Sequence, residues 1–196
     1  MEFNKCLTGL GVDSSAINFI WDYHPKNRGE QDSISEDMLT LKNLHNLTPF
    51  NSDVKEKVSL FCGCFCKYFA YHLPLYTKHY TFCCVPSHLS ETDNKNGIYM
   101  FSRWCKPIRD HFDKDLLVRT HDIESLHSGG DRDKSVHLSS LKVNKSVSGK
   151  RVVVMDDITT TGHTLEACKS LLMKAGAKEV YLFSFAKTKS KNRQWF

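Results

Sequence analysis

The 196-residue chain has no run approaching the roughly 20 consecutive apolar residues of a membrane-spanning helix, which argues against a helical membrane protein. Met1 to Leu10 has neither a basic start nor an apolar signal core, so a cytosolic protein is expected. Internal repeats and low-complexity tracts are missing as well. A zinc module is not spelled out either. Of the eight cysteines, Cys62, Cys64 and Cys66 alternate in FCGCFC and Cys83 adjoins Cys84, but no ligand pair recurs at the spacing of a metal knuckle. The cysteines read instead as small buried hydrophobes in a reducing compartment. The formal charge of +5 is modest and its basic residues are dispersed, so the composition suits a small polyanionic ligand at least as well as DNA.

What the chain does have is an ordinary globular composition, 40% hydrophobic and 25% charged, sufficient for one substantial core. Its most informative stretch is RVVVMDDITTTGHTL, Arg151 to Leu165. Val152 to Met155 suits a strand buried on both faces, as in the middle of a parallel sheet. Asp156 and Asp157 are expected where that strand ends, at the edge that faces the ligand crevice in open α/β sheets. There their carboxylates would accept hydroxyl hydrogen bonds or hold a hydrated Mg²⁺. Thr159, Thr160, Thr161, Gly162, His163 and Thr164 follow, offering hydroxyls and open backbone N–H groups at a helix N-terminus, where the dipole favours an anion. Diol and phosphate together describe a phosphorylated sugar. The plainer alternative is a strand-turn-helix junction with capping Asp and Thr. Beyond it, Leu165, Cys168, Leu171, Leu172 and Ala175 recur at helical spacing, Gly176 sits at a C-terminal cap, and Val180 to Phe185 returns as a strand.

This segment resembles the 5-phosphoribosyl 1-pyrophosphate (PRPP) motif of type I phosphoribosyltransferases: an apolar strand, two acidic residues and a Thr-Thr-Gly-x-Thr-like loop. The resemblance implies an α/β fold with a central, mostly parallel sheet flanked by helices, PRPP as substrate and Mg²⁺ as cofactor. It also implies that Asp156 and Asp157 hold the ribose hydroxyls and metal, while Thr159 to Thr164 wrap the 5-phosphate. The implied activity is displacement of pyrophosphate from C1 of PRPP by an unidentified nitrogen acceptor. Enzymes of this family that salvage 6-oxopurines carry an aspartate two residues before the loop glycine; Thr160 stands there, which argues against that acceptor class.

Other stretches fill in the same frame. Asp53 to Leu73 carries Val54, Val58, Phe61, Phe65 and Phe69 at helical spacing and ends at Pro74. Tyr80 to Val85 reads as a strand running into Pro86, Ser87 and His88. By the resemblance that turn is the pyrophosphate loop; by residue chemistry alone it is equally a proline-marked strand end. A helix is expected from about Asn94 to Arg109, and a short strand at Leu116 to Val118. The polar connection from Thr120 to Gly149 reads as a mobile loop, with Gly129 and Gly130 as hinges. In it Arg132, and less firmly Lys134, would neutralise the leaving pyrophosphate. A general base, if one is needed, would come from His88, His127, His137 or His163.

Residues 131–143 also resemble ComF-type phosphoribosyltransferase-like proteins, in which an arginine precedes a short strand that returns to the sheet, although the usual Cys-x-x-Cys zinc module is absent. Residues 1–51 read as an appended segment before a phosphoribosyltransferase-like domain at 52–196. In it Trp21, Tyr23 and His24, beside Lys26 and Arg28, form either a surface turn or a lid over a planar acceptor. Two other functions stay open: a PRPP- or nucleotide-binding regulator without catalysis, and a ComF-like DNA-uptake or interaction module. The expected partners are PRPP and a small acceptor, with nucleic acid and membrane argued against and a homodimer compatible with the family.

Overall fold

The computed structural model describes residues 15–26, 32–47, 50–72, 79–90, 96–123 and 134–189. Its centre is the apolar run of the motif. Strand β5 (Arg151–Thr159) lies between β6 (Glu179–Thr188) and β2 (Tyr80–Cys84), and β1 (Ile17–Tyr23) flanks β6 on the far side. All three pairings are parallel. Val152, Val153, Val154 and Met155 are each 0% exposed. Val153 and Met155 enter one core and Val152 and Val154 the other, as alternation in a doubly covered strand requires.

On the first face lie α1 (Ser33–Lys42), α2 (Ser52–His72) and α3 (Gly97–Trp104). The spacing of Val54, Val58, Phe61, Phe65 and Phe69 gives α2 one continuous apolar stripe. Phe65 meets Phe69 at 4.3 Å, Phe183 at 5.3 Å and Phe101 at 5.7 Å between ring centroids. Each fully buried ring of this kind contributes about 1.5–3 kcal/mol of transfer free energy. The other face is covered by α6 (His163–Lys174), which follows the motif, and by β3 (Leu117–Arg119) with β4 (Leu141–Val143). Gly97 lets α3 start against the end of α1, since a Cβ there would lie 2.0 Å from the Leu41 carbonyl oxygen.

Four expectations need correction. The described part of residues 1–51 is not appended: β1 is a strand of the sheet, and Met38 and Leu41 of α1 are 0% exposed in the main core. The helix expected over Asn94 to Arg109 is two, α3 and α4 (Lys106–Arg109), because Pro107 can neither donate a backbone hydrogen bond nor clear the carbonyl of the preceding turn. Cys105 takes a non-helical conformation at the break (φ −83°, ψ 87°). Within the polar connection, the described residues from Lys134 form α5 (Lys134–Ser140), which leads directly into β4. Finally, β4 does not return to the main sheet but pairs antiparallel with β3. The outer edge of β2 is already occupied, by Phe112 and its neighbours: Phe82 N–H donates to the His111 carbonyl at 2.9 Å, and Asp113 N–H to that of Phe82 at 2.8 Å.

Candidate functional site

The strand carrying the motif is longer than its apolar run. Its pairing with β6 continues through Asp156 to Thr159 opposite Lys187, so the two aspartates are strand residues instead of following the strand. β2 stops earlier, at Cys84 opposite Met155, and Val85 N–H makes the last contact, 2.9 Å to the Met155 carbonyl. From Asp156 onward β5 therefore has a strand partner on one side only. This is the carboxyl edge of a parallel sheet, the edge at which ligands of open α/β folds bind.

β5 keeps its offset against β6 through Asp156 and again from Ile158, but Ile158 packs on the side of Val153 and Met155, so simple alternation does not run through the two aspartates. Both aspartates are partly buried. Each also accepts a bond from the next backbone amide, Asp156 Oδ1 from Asp157 N at 3.0 Å and Asp157 Oδ1 from Ile158 N at 2.6 Å. Burial pushes the Asp156 carboxyl well above the usual carboxylate range and the neighbouring Asp157 adds to this, while the Asp157 amide and Lys42, at the end of α1, pull it back. An incoming cation would be favoured by the same imbalance. Among the described residues, no group of three or more His, Cys, Asp or Glu side chains is arranged to enclose a metal ion. Two adjacent carboxylates at the carboxyl edge of the sheet nonetheless suit Mg²⁺, which commonly takes one or two carboxylates and completes its shell with water and substrate phosphate oxygens.

After Thr159, itself 5% exposed and closing the strand, the chain turns through exposed Thr160 and Thr161 into α6. Gly162 is the N-cap, left-handed at φ 83°, and as a glycine it offers no capping side chain of its own. The first intrahelical bond is Glu166 N–H to the Gly162 carbonyl at 2.9 Å, so the amides of the preceding turn point toward the helix N-terminus and not into the helix ladder. A side chain at Gly162 would strike Ile17 of β1, its Cβ 2.0 Å from Ile17 Cδ1. Thr160 Oγ1 lies 3.1 Å from Thr188 Oγ1, which ties the loop to the end of β6. His163 is an exposed first-turn residue, and Thr164 Oγ1 pairs at 3.1 Å with Nε2 of the buried His137.

The turn after β2 lies at the same edge. Pro86 is buried, Ser87 half-buried and His88 exposed. The Ser87 carbonyl accepts from Arg119 Nε at 2.5 Å, the same guanidinium donates through Nη1 to Ser140 Oγ, and the His88 carbonyl accepts from Ile123 N at 3.0 Å. Asn96 Nδ2 holds the Val85 carbonyl at 3.1 Å. Arg119 is 6% exposed, and burial lowers its pKa from the usual arginine value. Arg132, His127, Gly129, Gly130 and Arg28 lie outside the described residues, and Lys134 opens α5, partly buried. At the opposite edge of the sheet a separate cleft of about 780 Å³ is lined by His79, His111, Lys145, Lys150, Arg151 and Lys178 among others, and includes none of the motif residues.

Three side chains organise this edge: Arg119 and Asn96, which the sequence did not single out, and His137, which it offered only as a candidate base. Arg119 continues an apolar strand, and a charged residue in that position was the available signal. His137 and Asn96 carried none, since their partners lie 27 and 11 residues away.

A parallel sheet with helices on both faces, an aspartate pair near its carboxyl edge and a helix that starts at a glycine define an α/β protein. Residues 117–195, from β3 past β6, match the family model of the phosphoribosyl transferase domain. No curated protein matches the chain in sequence. Similar solved structures include a hypoxanthine phosphoribosyltransferase from Staphylococcus aureus, 16% identical over 70% of this chain and 76% of that one, with a TM-score of 0.40. A purine phosphoribosyltransferase from Pyrococcus horikoshii Ot3 is 16% identical over 67% and 83%, with a TM-score of 0.41. Phosphoribosylpyrophosphate synthetase from Mycobacterium smegmatis is 15% identical over 84% of this chain and 50% of its own, with a TM-score of 0.38.

Proposed function

We propose that the chain binds PRPP with Mg²⁺ and transfers its phosphoribosyl group, pyrophosphate leaving C1 as a nitrogen acceptor attaches. One observation carries this reading: the open, glycine-started N-terminus of α6 directly follows a strand whose one-sided end bears Asp156 and Asp157. The 5-phosphate would take the amides of His163, Thr164 and Leu165 and the hydroxyls of Thr160, Thr161 and Thr164. Asp156 and Asp157 would orient the ribose hydroxyls and hold the metal; when bound, Mg²⁺ supplies charge that organises the pyrophosphate. Their negative charge also favours the positive charge that develops on the ribose ring as the C1–O bond breaks. Pro86, Ser87 and His88 would receive the diphosphate, on a backbone tied down by Arg119 and Asn96. Arg132 would neutralise the leaving group. The protein's contribution is positioning and charge, the usual division of labour where the leaving group is already good.

Calorimetric titration with PRPP and Mg²⁺, beside a folded variant carrying Asp156→Asn and Asp157→Asn, tests the site. Saturable binding lost in the variant supports it, and pyrophosphate release across a panel of nitrogen acceptors then separates transferase from a binding-only regulator. Absence of binding by folded wild type refutes the reading.

A further inference from the structure

Three thiols converge on the face of the sheet that carries the phenylalanine core. Cys62 and Cys66 are one helical turn apart, so they share a side of α2, whereas Cys64 between them points elsewhere and is 4% exposed. Opposite them, at the break between α3 and α4, sits Cys105, 1% exposed, with its Sγ 4.0 Å from Cys66 Sγ. Its thiol is also within hydrogen-bonding reach of Cys62. The break matters, because Cys105 belongs to neither helix and its backbone can adjust where a mid-helix residue could not.

We propose that Cys66 and Cys105 are an oxidisable pair, a modification site at which a hydroperoxide converts two thiols into a disulfide joining α2 to the α3–α4 junction. The Cys66 thiolate attacks one peroxide oxygen and the O–O bond breaks, giving the sulfenic acid and, after protonation of the leaving oxygen, water. Cys105 sulfur then attacks the Cys66 sulfur, and the expelled hydroxide takes the Cys105 proton as a second water. The thiols lose two electrons and two protons, and the peroxide is reduced by the same two electrons.

Thiol environments in the chain are divided in the way such selectivity needs. A hydrogen bond from Cys105 lowers Cys66 to about 7, against the opposing effect of burial. Cys105 is held protonated far above the ordinary thiol range by its bonds to Cys62 and Cys66 and by burial. Burial raises Cys64 to about 11 and Cys84 to about 12, and it raises Cys83 and Cys168 as well. Cys66 is in addition half-buried where those four are buried. Thiolate character and access together make it the reactive sulfur among the described cysteines. The cross-link would reach the ligand edge through α3, whose N-cap Asn96 holds the Val85 carbonyl.

The test uses the full reduced chain, treated with a slight excess of hydrogen peroxide and followed by peptide mass mapping. The expected product has lost two hydrogens in a Cys66–Cys105 linked peptide, with Cys64, Cys83, Cys84 and Cys168 still alkylatable and Cys66 consumed roughly tenfold or more faster than they are. Cys66→Ser should abolish the linkage. Cys105→Ser, checked for folding by circular dichroism, should instead leave a sulfenic acid on Cys66 that dimedone captures. If Cys105→Ser does not fold, Cys105→Ala serves in its place, and kinetic competition between Cys66 and Cys64 in wild type decides independently. Equal oxidation of Cys64 and Cys66, or a Cys62–Cys105 linkage that persists unchanged in Cys66→Ser, would overturn the assignment.

Discussion

Thr164 Oγ1 and His137 Nε2 lie 3.1 Å apart and join the first turn of α6 to α5, which immediately precedes β4. A buried imidazole thus sets the orientation of a hydroxyl in the first turn of α6. Thr164→Val keeps the shape and removes the partner. It should weaken PRPP binding about tenfold, near 1.4 kcal/mol, while shifting unfolding stability by only about 0.5–1.5 kcal/mol. Calorimetry and thermal melts on the same sample separate the two. An unchanged affinity would leave the pair a packing contact only.

Asp156 links stability to pH in an unusual direction. Its carboxyl titrates above the usual range in the folded chain because burial, and then Asp157, disfavour its charge. Stability from this group is therefore fully present below the unfolded pKa and declines as pH rises toward the folded value. Asp156→Asn should melt higher than wild type at neutral pH, by roughly 2–4 °C for each kcal/mol relieved, yet lose PRPP and Mg²⁺ binding. Wild-type binding should also weaken on acidification at a pH above that of an ordinary aspartate, since a bound cation needs the ionised form. A lower melting temperature in the variant would contradict the charge argument.

Gly162→Ala meets two obstacles: a left-handed φ of 83° and Ile17 Cδ1 at 2.0 Å from the added carbon. The backbone alone costs about 1–2 kcal/mol. Adding Ile17→Val should recover part of the loss, because it relieves the side-chain clash and leaves φ as it was. Full recovery in a chemical-denaturation double-mutant cycle would mean the backbone strain is negligible.

Arg119→Leu strips the donors from the Ser87 carbonyl and Ser140 Oγ. Each buried acceptor left alone costs about 1–3 kcal/mol. The expected result is a less stable protein with a raised KM for PRPP, and Arg119→Lys should restore only part of either, lacking the forked geometry that reaches both acceptors. A KM unmoved by both substitutions would detach the Ser87 turn from diphosphate binding.

Residues whose partners are near in sequence were readable without coordinates. β5, α6 and β6 form one local unit with a constant register offset, and the signals within it (an apolar run, two aspartates, a Thr/Gly loop, a helical stripe) act on neighbours. The stripe on α2 was legible for the same reason. By contrast, β1 escaped notice because its buried phase includes Asn18, whose amide side chain donates to the Leu182 carbonyl at 3.0 Å across 164 residues. No local pattern announces such a partner. Arg119, His137 and Cys105 belong with it: each is an unremarkable letter until chain closure sets it against Ser87, Thr164 or Cys66. The strand, the Thr/Gly turn and the helix after it, then, were written in the sequence. What the tertiary structure alone decided was which distant side chains brace that loop and which thiols meet, since those contacts exist only once the sheet has ordered its strands and its two faces have been covered.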